Sequence, residues 1–328
     1  MSVIPSIDVR NRLPKWLSPS AAEVYRKCPK EFYFKYILGI RTGGTIHTLR
    51  GTLTHTMFER IFDHPREERT VETALSYVRP ALQVTLEPFA PLETVDCEVE
   101  RRLREIEKRF EGVIDPESRA YARAVRDAED AARILGEYDV DDLIAEIEKL
   151  VVNWFTMEDP TAFDPEGREV FLQARAAGVP LQGFLDRLDR VRLQDGSDAW
   201  IISDLKTGKV PDERYLAQKF FQLRVYAVLL RIVHGTTPRM LRLIYAKGGS
   251  KDAVKRLVVN DATLDSTEAE LKALWRSITA DAKHNRWEPK TQALCPWCDF
   301  QPVCPAFNPN AEGTLPEERE LYEQVPAG

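Results

Sequence analysis

Asp204 and Lys206 stand two residues apart in Ile201-Ile202-Ser203-Asp204-Leu205-Lys206-Thr207-Gly208-Lys209, an apolar run that leaves through a Thr-Gly turn. On a β-strand, residues i and i+2 point to the same face, so a carboxylate and an ammonium project side by side at the strand's end. Upstream, Gly183-Phe184-Leu185-Asp186-Arg187-Leu188-Asp189 is a second strand-like run with Asp186 inside it. Two acids and a lysine at the edge of one sheet suit a divalent cation acting on a phosphodiester. Taken alone, Asp-x-Lys is short and equally describes a surface ion pair.

The cysteines form a second constellation. Cys295-Pro-Trp-Cys298 and Cys304-Pro put three thiols in a short, proline-stiffened loop, and Cys28 precedes a proline near the other end of the chain. Clustered cysteines in a chain read as cytosolic favour a metal over disulfides. Four thiolates can hold zinc or an iron–sulfur cluster. Cys97 sits in an acidic helical context and is read as a core or surface thiol.

The elements that must position these groups follow from periodicity. Ser18 caps a helix with Pro19 at its first position, and the helical pattern is predicted to run to about Leu38, with Gly39 as its stop. Tyr25, Phe32, Tyr33, Tyr36 and Ile37 alternate there with Arg26, Lys27, Lys30 and Lys35. That mixture fits either a grip on single-stranded nucleic acid or a half-buried amphipathic helix. A helix carrying His55 is predicted from Thr48 to Asp63. Helical patterns near 70–87, 98–111, 117–135 and 139–157 follow, broken by Pro88, Pro91, Pro116 and Pro160. This block reads as a helical insertion with a small core of its own.

From Arg168 the period changes to that of strands. Glu169–Ala174, Val179–Val191 and Ala199–Lys206 form an antiparallel meander. A long helix over 212–234, a hairpin of Met240–Ala246 with Ala253–Val259, and a last helix over 266–284 complete an α/β (α+β) order. Lys247-Gly248-Gly249-Ser250-Lys251 lacks the spacing of a phosphate loop.

The 328 residues carry a net charge of −6, which argues against a generic basic DNA coat but not against local contact with DNA. The charge is uneven: residues 1–60 carry a net +6, residues 61–170 a net −14, and the rest +2. No apolar run reaches about 18 residues, so no membrane span is expected. The N-terminus lacks a basic start and an apolar signal core, so a cytoplasmic protein is expected.

Together these residues resemble the RecB-like branch of the PD-(D/E)XK nuclease superfamily, in its iron–sulfur subgroup of RecB-family exonucleases and Cas4-like proteins. The resemblance is carried, in order, by Leu17-Ser-Pro-Ser with Cys28-Pro, Arg50-Gly-Thr-Leu-Thr-His55, Gly183-Phe-Leu-Asp186, Asp204-Leu-Lys206-Thr-Gly, Gln222-Leu-Arg-Val-Tyr226 and the three C-terminal cysteines. It implies a single domain over 1–328 with a mixed central sheet flanked by helices. Within it lie N-terminal helices at 17–63, an acidic helical insertion at 64–165, the catalytic sheet core at 166–290, a cysteine cluster loop at 291–307 and a tail at 308–328.

It further implies that His55, Asp186, Asp204 and the Leu205 carbonyl bind Mg²⁺ or Mn²⁺. Lys206 would position or help deprotonate water, and Gln222 and Tyr226 would touch the DNA backbone and support the lysine. Cys28, Cys295, Cys298 and Cys304 would hold a [4Fe-4S] cluster, which now outranks zinc. Glu169, on the strand before Asp186, is not counted as a ligand. Asp204 stands where many family members have Glu. The implied activity is metal-dependent cleavage of DNA, as an exonuclease on single-stranded or free ends, in repair, recombination or CRISPR adaptation. A helicase or an adaptation protein would be its partner. The alternative is a non-catalytic iron–sulfur DNA-binding or adaptor subunit.

Overall fold

A computed structural model describes residues 12–90, 97–111 and 119–309. The N-terminal stretch, Pro91, Pro116, the start of the 117–135 helix and most of the 308–328 tail lie outside the described residues.

Five strands form one mixed sheet in the order β1-β2-β3-β4-β5: β1 (Gly167–Ala176), β2 (Val179–Arg192), β3 (Asp198–Lys206), β4 (Met240–Tyr245) and β5 (Val254–Val258). The predicted meander is present. Ala177 and Gly178 both have positive φ, which gives the two-residue turn that suits the twist of a hairpin. Pairing of β3 with β4 is parallel, while β4–β5 is antiparallel. A parallel pair needs a crossover, and α9 (Glu213–Lys219) with α10 (Phe221–His234) supplies it. The single helix expected over 212–234 is thus two, parted at Phe220.

The N-terminal helix is also divided. Ser18 Oγ accepts from Ala21 N at 3.1 Å and starts α1 (Pro19–Lys27) as expected. The chain then leaves the helix at Cys28, which is extended at φ −158° and ψ 112°. Proline disfavours helical geometry in the residue before it, so Pro29 explains the break. A short α2 (Pro29–Phe32) and a π-helical turn (Tyr33–Ile37) follow. The aromatics here are structural: Tyr25, Phe32 and Ile37 are buried, and Trp287 stacks on Phe32 and Tyr33. They form no exposed stacking platform, which settles the two readings of this segment.

α3 (Ile46–Arg60), α4 (Val71–Leu75), α5 (Val78–Leu86), α6 (Glu98–Glu111), α7 (Arg119–Glu137) and α8 (Val140–Met157) precede the sheet, and α11 (Asp261–His284) is the last α-helix among the described residues. Asn260 caps α11 through Thr263 N, so the helix begins earlier than the predicted 266. The insertion does not keep a core of its own. Leu143, Ile147 and Trp154 of α8 belong to the same continuous cluster as Met57 of α3 and Leu185 and Ile202 of the sheet. The apolar stripe of α8 packs against α3 as well as against α4 and α5 of its own block. Cys97 is exposed.

One face of the sheet carries a buried charge network. Arg187 donates to both carboxylate oxygens of Glu158 at 2.8 and 2.9 Å and to Asp189 at 3.1 Å. Arg242 reaches Asp189 at 2.6 Å and Glu158 at 3.1 Å, and Trp154 Nε1 donates to Glu158 at 3.0 Å. Burial alone would raise the Glu158 pKa, but the Arg187 and Arg242 charges override it and hold the carboxyl below its ordinary 4.5. Such a group contributes stability above its unfolded pKa and loses it as pH falls through the lower folded value. The melting-temperature gap between wild type and Glu158→Gln should therefore narrow as the pH is taken from 6 to below 4.5. A gap that stays constant would show that Glu158 does not act as a paired carboxylate.

Candidate active site

The ladder between β2 and β3 ends at Arg187↔Ser203. One step beyond, the strands part. Leu205 N–H has no ladder partner there and donates instead to Asp186 Oδ2 at 2.9 Å. Asp186 is thus fixed by backbone at the fork of the sheet, since a backbone donor away from water must be satisfied. The described contribution of Leu205 is this N–H.

Alternation separates the charged residues by face. Arg187, Asp189 and Ser203 join the buried network, whereas Asp186, Asp204 and Lys206 lie on the opposite face. His55, on α3, approaches from across the cleft, with Nδ1 3.5 Å from Asp186 Oδ2. The third member is Glu169. Ligand atoms of His55, Glu169 and Asp186 all lie within 4.8 Å of one another. Glu169 has φ +46°, a left-handed conformation that costs a non-glycine residue about 1–3 kcal/mol. Burial, then the Asp186 and Glu59 charges, push its pKa up to about 7. A cation among these three groups would relieve that repulsion.

Asp204 is adjacent but differently engaged. It is nearly fully buried, and Lys206 Nζ sits 2.6 Å from its Oδ2. Burial and the Asp186 charge push the Asp204 carboxyl up, against the pull of Lys206. Burial works against the charge on Lys206, yet Asp204 and then Asp186 outweigh it and raise the lysine pKa. One imidazole and two oxygen donors in reach of one point, with a buried carboxylate beside them, suit a hard divalent cation.

Gln222 and Tyr226 are together on α10, with Gln222 Nε2 donating to Tyr226 Oη at 3.2 Å. Tyr226 is buried, and loss of water raises its pKa to about 12. It lies against the backbone of Gly183 in β2, where an added Cβ would stand 2.6 Å from Tyr226 Cε1. Gly183→Ala should push the ring off β2, lowering the melting temperature and disturbing the Gln222–Tyr226 pair. Overpacking of this kind costs about 1–3 kcal/mol. A thermal melt checks it, and an unchanged melting temperature would mean that the ring has room to move.

All four clustered cysteines line one cavity of about 30 Å³, with Lys27, Phe34 and Phe300 among its other walls. Backbone amides of Lys290 and Gln292 point at the Cys28 and Cys295 sulfurs at 3.4 and 3.2 Å. Side-chain contacts also join the two ends of the chain here. Tyr25 Oη donates to Asp281 at 2.6 Å, and Phe34 packs on Phe300 at 5.3 Å.

The family model described as PD-(D/E)XK nuclease superfamily matches residues 16–305, spanning the sheet, the acid cluster and the cysteine loop. The chain belongs to the PD-(D/E)XK nuclease superfamily. It is accordingly a nuclease, a hydrolase of phosphodiester bonds, in a family that uses divalent metals and acts on DNA. No curated protein matches the sequence. Among solved structures, the "Putative exonuclease" of Eubacterium rectale aligns over 91% of this chain and 92% of that one, at 12% identity and a TM-score of 0.40. Among the described residues, no helix is long and apolar enough to cross a membrane.

Proposed function

We propose that this superfamily member is a metal-dependent exonuclease acting on single-stranded or free DNA ends in repair, recombination or CRISPR adaptation. The convergence of His55, Glu169 and Asp186 beside the Asp204–Lys206 pair carries the reading. His55, Glu169 and Asp186 would hold Mg²⁺ or Mn²⁺, with Asp204 completing the oxygen set. When bound, such an ion supplies charge neutralisation at the phosphate and a more acidic water as nucleophile. Asp186 keeps its orientation through Leu205 N–H. Lys206, held against Asp204 at 2.6 Å, would position or help deprotonate the attacking water and stabilise charge on the phosphate. Gln222 and Tyr226 buttress the end of the lysine strand and offer contacts to the DNA backbone.

Cys28, Cys295, Cys298 and Cys304 would hold a [4Fe-4S] cluster that staples the chain ends around the sheet. Their shared cavity and the amide donors on two sulfurs support that assignment. Brown protein with broad visible absorbance after anaerobic purification is the expected result. A colourless, zinc-loaded protein would replace the cluster by zinc. The activity is tested by digesting DNA labelled at either end, single- and double-stranded, with Mg²⁺ or Mn²⁺. Progressive shortening of the single strand from one end is expected. DNA binding without cutting under any of these conditions would turn the reading to a non-catalytic adaptor.

A further inference from the structure

Phe171 and Phe184 are direct cross-strand partners on β1 and β2, with ring centroids 4.9 Å apart. Their exposures of 49% and 55% are high for aromatic side chains in mid-strand. Alternation places them on the same outward face as Glu169 and Asp186, each two residues from one of those acids. Two residues of strand span about 7 Å, so the aromatic pair is the next step along the sheet from the acid cluster.

The row continues in the same register. Gln173 donates to Gln182 at 2.9 Å, and beyond them Arg175 lies over the Trp16 ring at 5.9 Å. One sheet face thus reads acid cluster, aromatic pair, amide pair, then cation with indole. Among the described residues, neither phenylalanine belongs to a buried hydrophobic cluster. A β-strand surface that only needed solubility would carry polar residues at these positions. The amides and Arg175 that follow offer hydrogen bonds and positive charge to a nucleic-acid backbone.

We propose that Phe171 and Phe184 form a stacking step for unpaired nucleobases next to the scissile phosphate, making the substrate a single DNA strand laid along β1 and β2. This rests on the nuclease reading for its position, since the step matters for cutting only beside a working acid cluster. Bases in a duplex already stack on their neighbours, so a ring step of this kind selects strands with free bases. Stacking on an aromatic ring is tolerant of sequence because every base has a π-face.

The test measures affinity in an Asp186→Asn background, where cleavage does not blur the reading. The probes are a short fluorescent oligothymidylate and an abasic strand of the same length. Phe171→Ala/Phe184→Ala should weaken binding of oligothymidylate about tenfold or more and leave the abasic strand unchanged. Phe171→Trp/Phe184→Trp should restore it, whereas Phe171→Leu/Phe184→Leu should not, because the effect requires rings and not merely apolar cover. Both phenylalanines are exposed, so thermal melts of these variants should match the parent.

Unchanged affinity, an equal loss on the abasic strand, full rescue by leucine, or no measurable binding of oligothymidylate by the Phe-containing parent would each overturn the proposal. So would a wild-type dimer that the alanine pair dissociates. Cleavage by wild type is scored separately: its failure removes the nuclease reading, while the affinities still decide the stacking step.

Discussion

Asp186→Asn should lower DNA cleavage by about 10³-fold or more while leaving the protein folded. A catalytic cation supplies several kcal/mol of transition-state stabilisation, and each 1.36 kcal/mol is about tenfold in rate. Asparagine removes the charge that the cation needs, yet keeps a carbonyl oxygen where Leu205 N–H donates at 2.9 Å. The Asp186 charge also raises the carboxyls of Asp204 and Glu169. Its removal relieves repulsion, so the melting temperature of the metal-free variant should equal or exceed that of wild type. Asp186→Ala differs, because it leaves the Leu205 N–H without its acceptor, a loss of about 1–3 kcal/mol. A steady-state cleavage assay and a thermal melt of both variants separate chemistry from folding. Cleavage by Asp186→Asn at the wild-type rate would remove Asp186 from the reaction.

Arg187→Met is expected to have the largest effect on stability. Arg187 is 2% exposed and binds Glu158 and Asp189 at once. Its loss leaves two buried carboxylates to share Arg242, and breaking a buried pair from one side costs about 3–5 kcal/mol. The melting temperature should fall by roughly 5–10 °C. The double variant Arg187→Met/Glu158→Leu removes one charge of each sign. It leaves Arg242 paired with Asp189 at 2.6 Å, and it should recover most of the loss. Two losses that simply add would show that the four charges are not one network. The network lies on the face of β2 and β3 opposite Asp186 and Asp204, so it stiffens the fork of the sheet from behind.

The meander was legible because Ala177-Gly178 and the return of apolar residues at period two mark it clearly. Asp186, Asp204 and Lys206 are legible as types at intervals, whereas His55, Gln222 and Tyr226 come only through the family resemblance; the chain places Asp186 within reach of His55, and Gln222 beside Tyr226. Glu169 is legible as a carboxylate on the strand before Asp186 but, by type alone, not as a ligand, although a further signal exists. A two-residue turn fixes hairpin register, and Glu169 and Asp186 are equally distant from Ala177-Gly178. That spacing alone puts them opposite each other in the hairpin.

Other features were hidden for physical reasons. The Glu158–Arg187–Asp189–Arg242 network joins charges from three separate elements, and no local spacing reports such partners. The aromatics of 25–37 gave two readings because amphipathic spacing says that a face is apolar, not what covers it. Trp287, far along the sequence, decides the matter. Likewise the stripe on α8 marks a buried face, but does not say that its core, shared with α4 and α5, is continuous with α3 and the sheet.

By the reading proposed above, His55, Glu169 and Asp186 together hold the ion that cuts DNA. Calorimetric titration of Mn²⁺ into metal-free wild type, Asp186→Asn and Glu169→Gln tests it most directly. Wild type should bind Mn²⁺ saturably, Asp186→Asn should lose that binding, and Glu169→Gln should bind clearly more weakly. Undiminished Mn²⁺ affinity in both variants would contradict it.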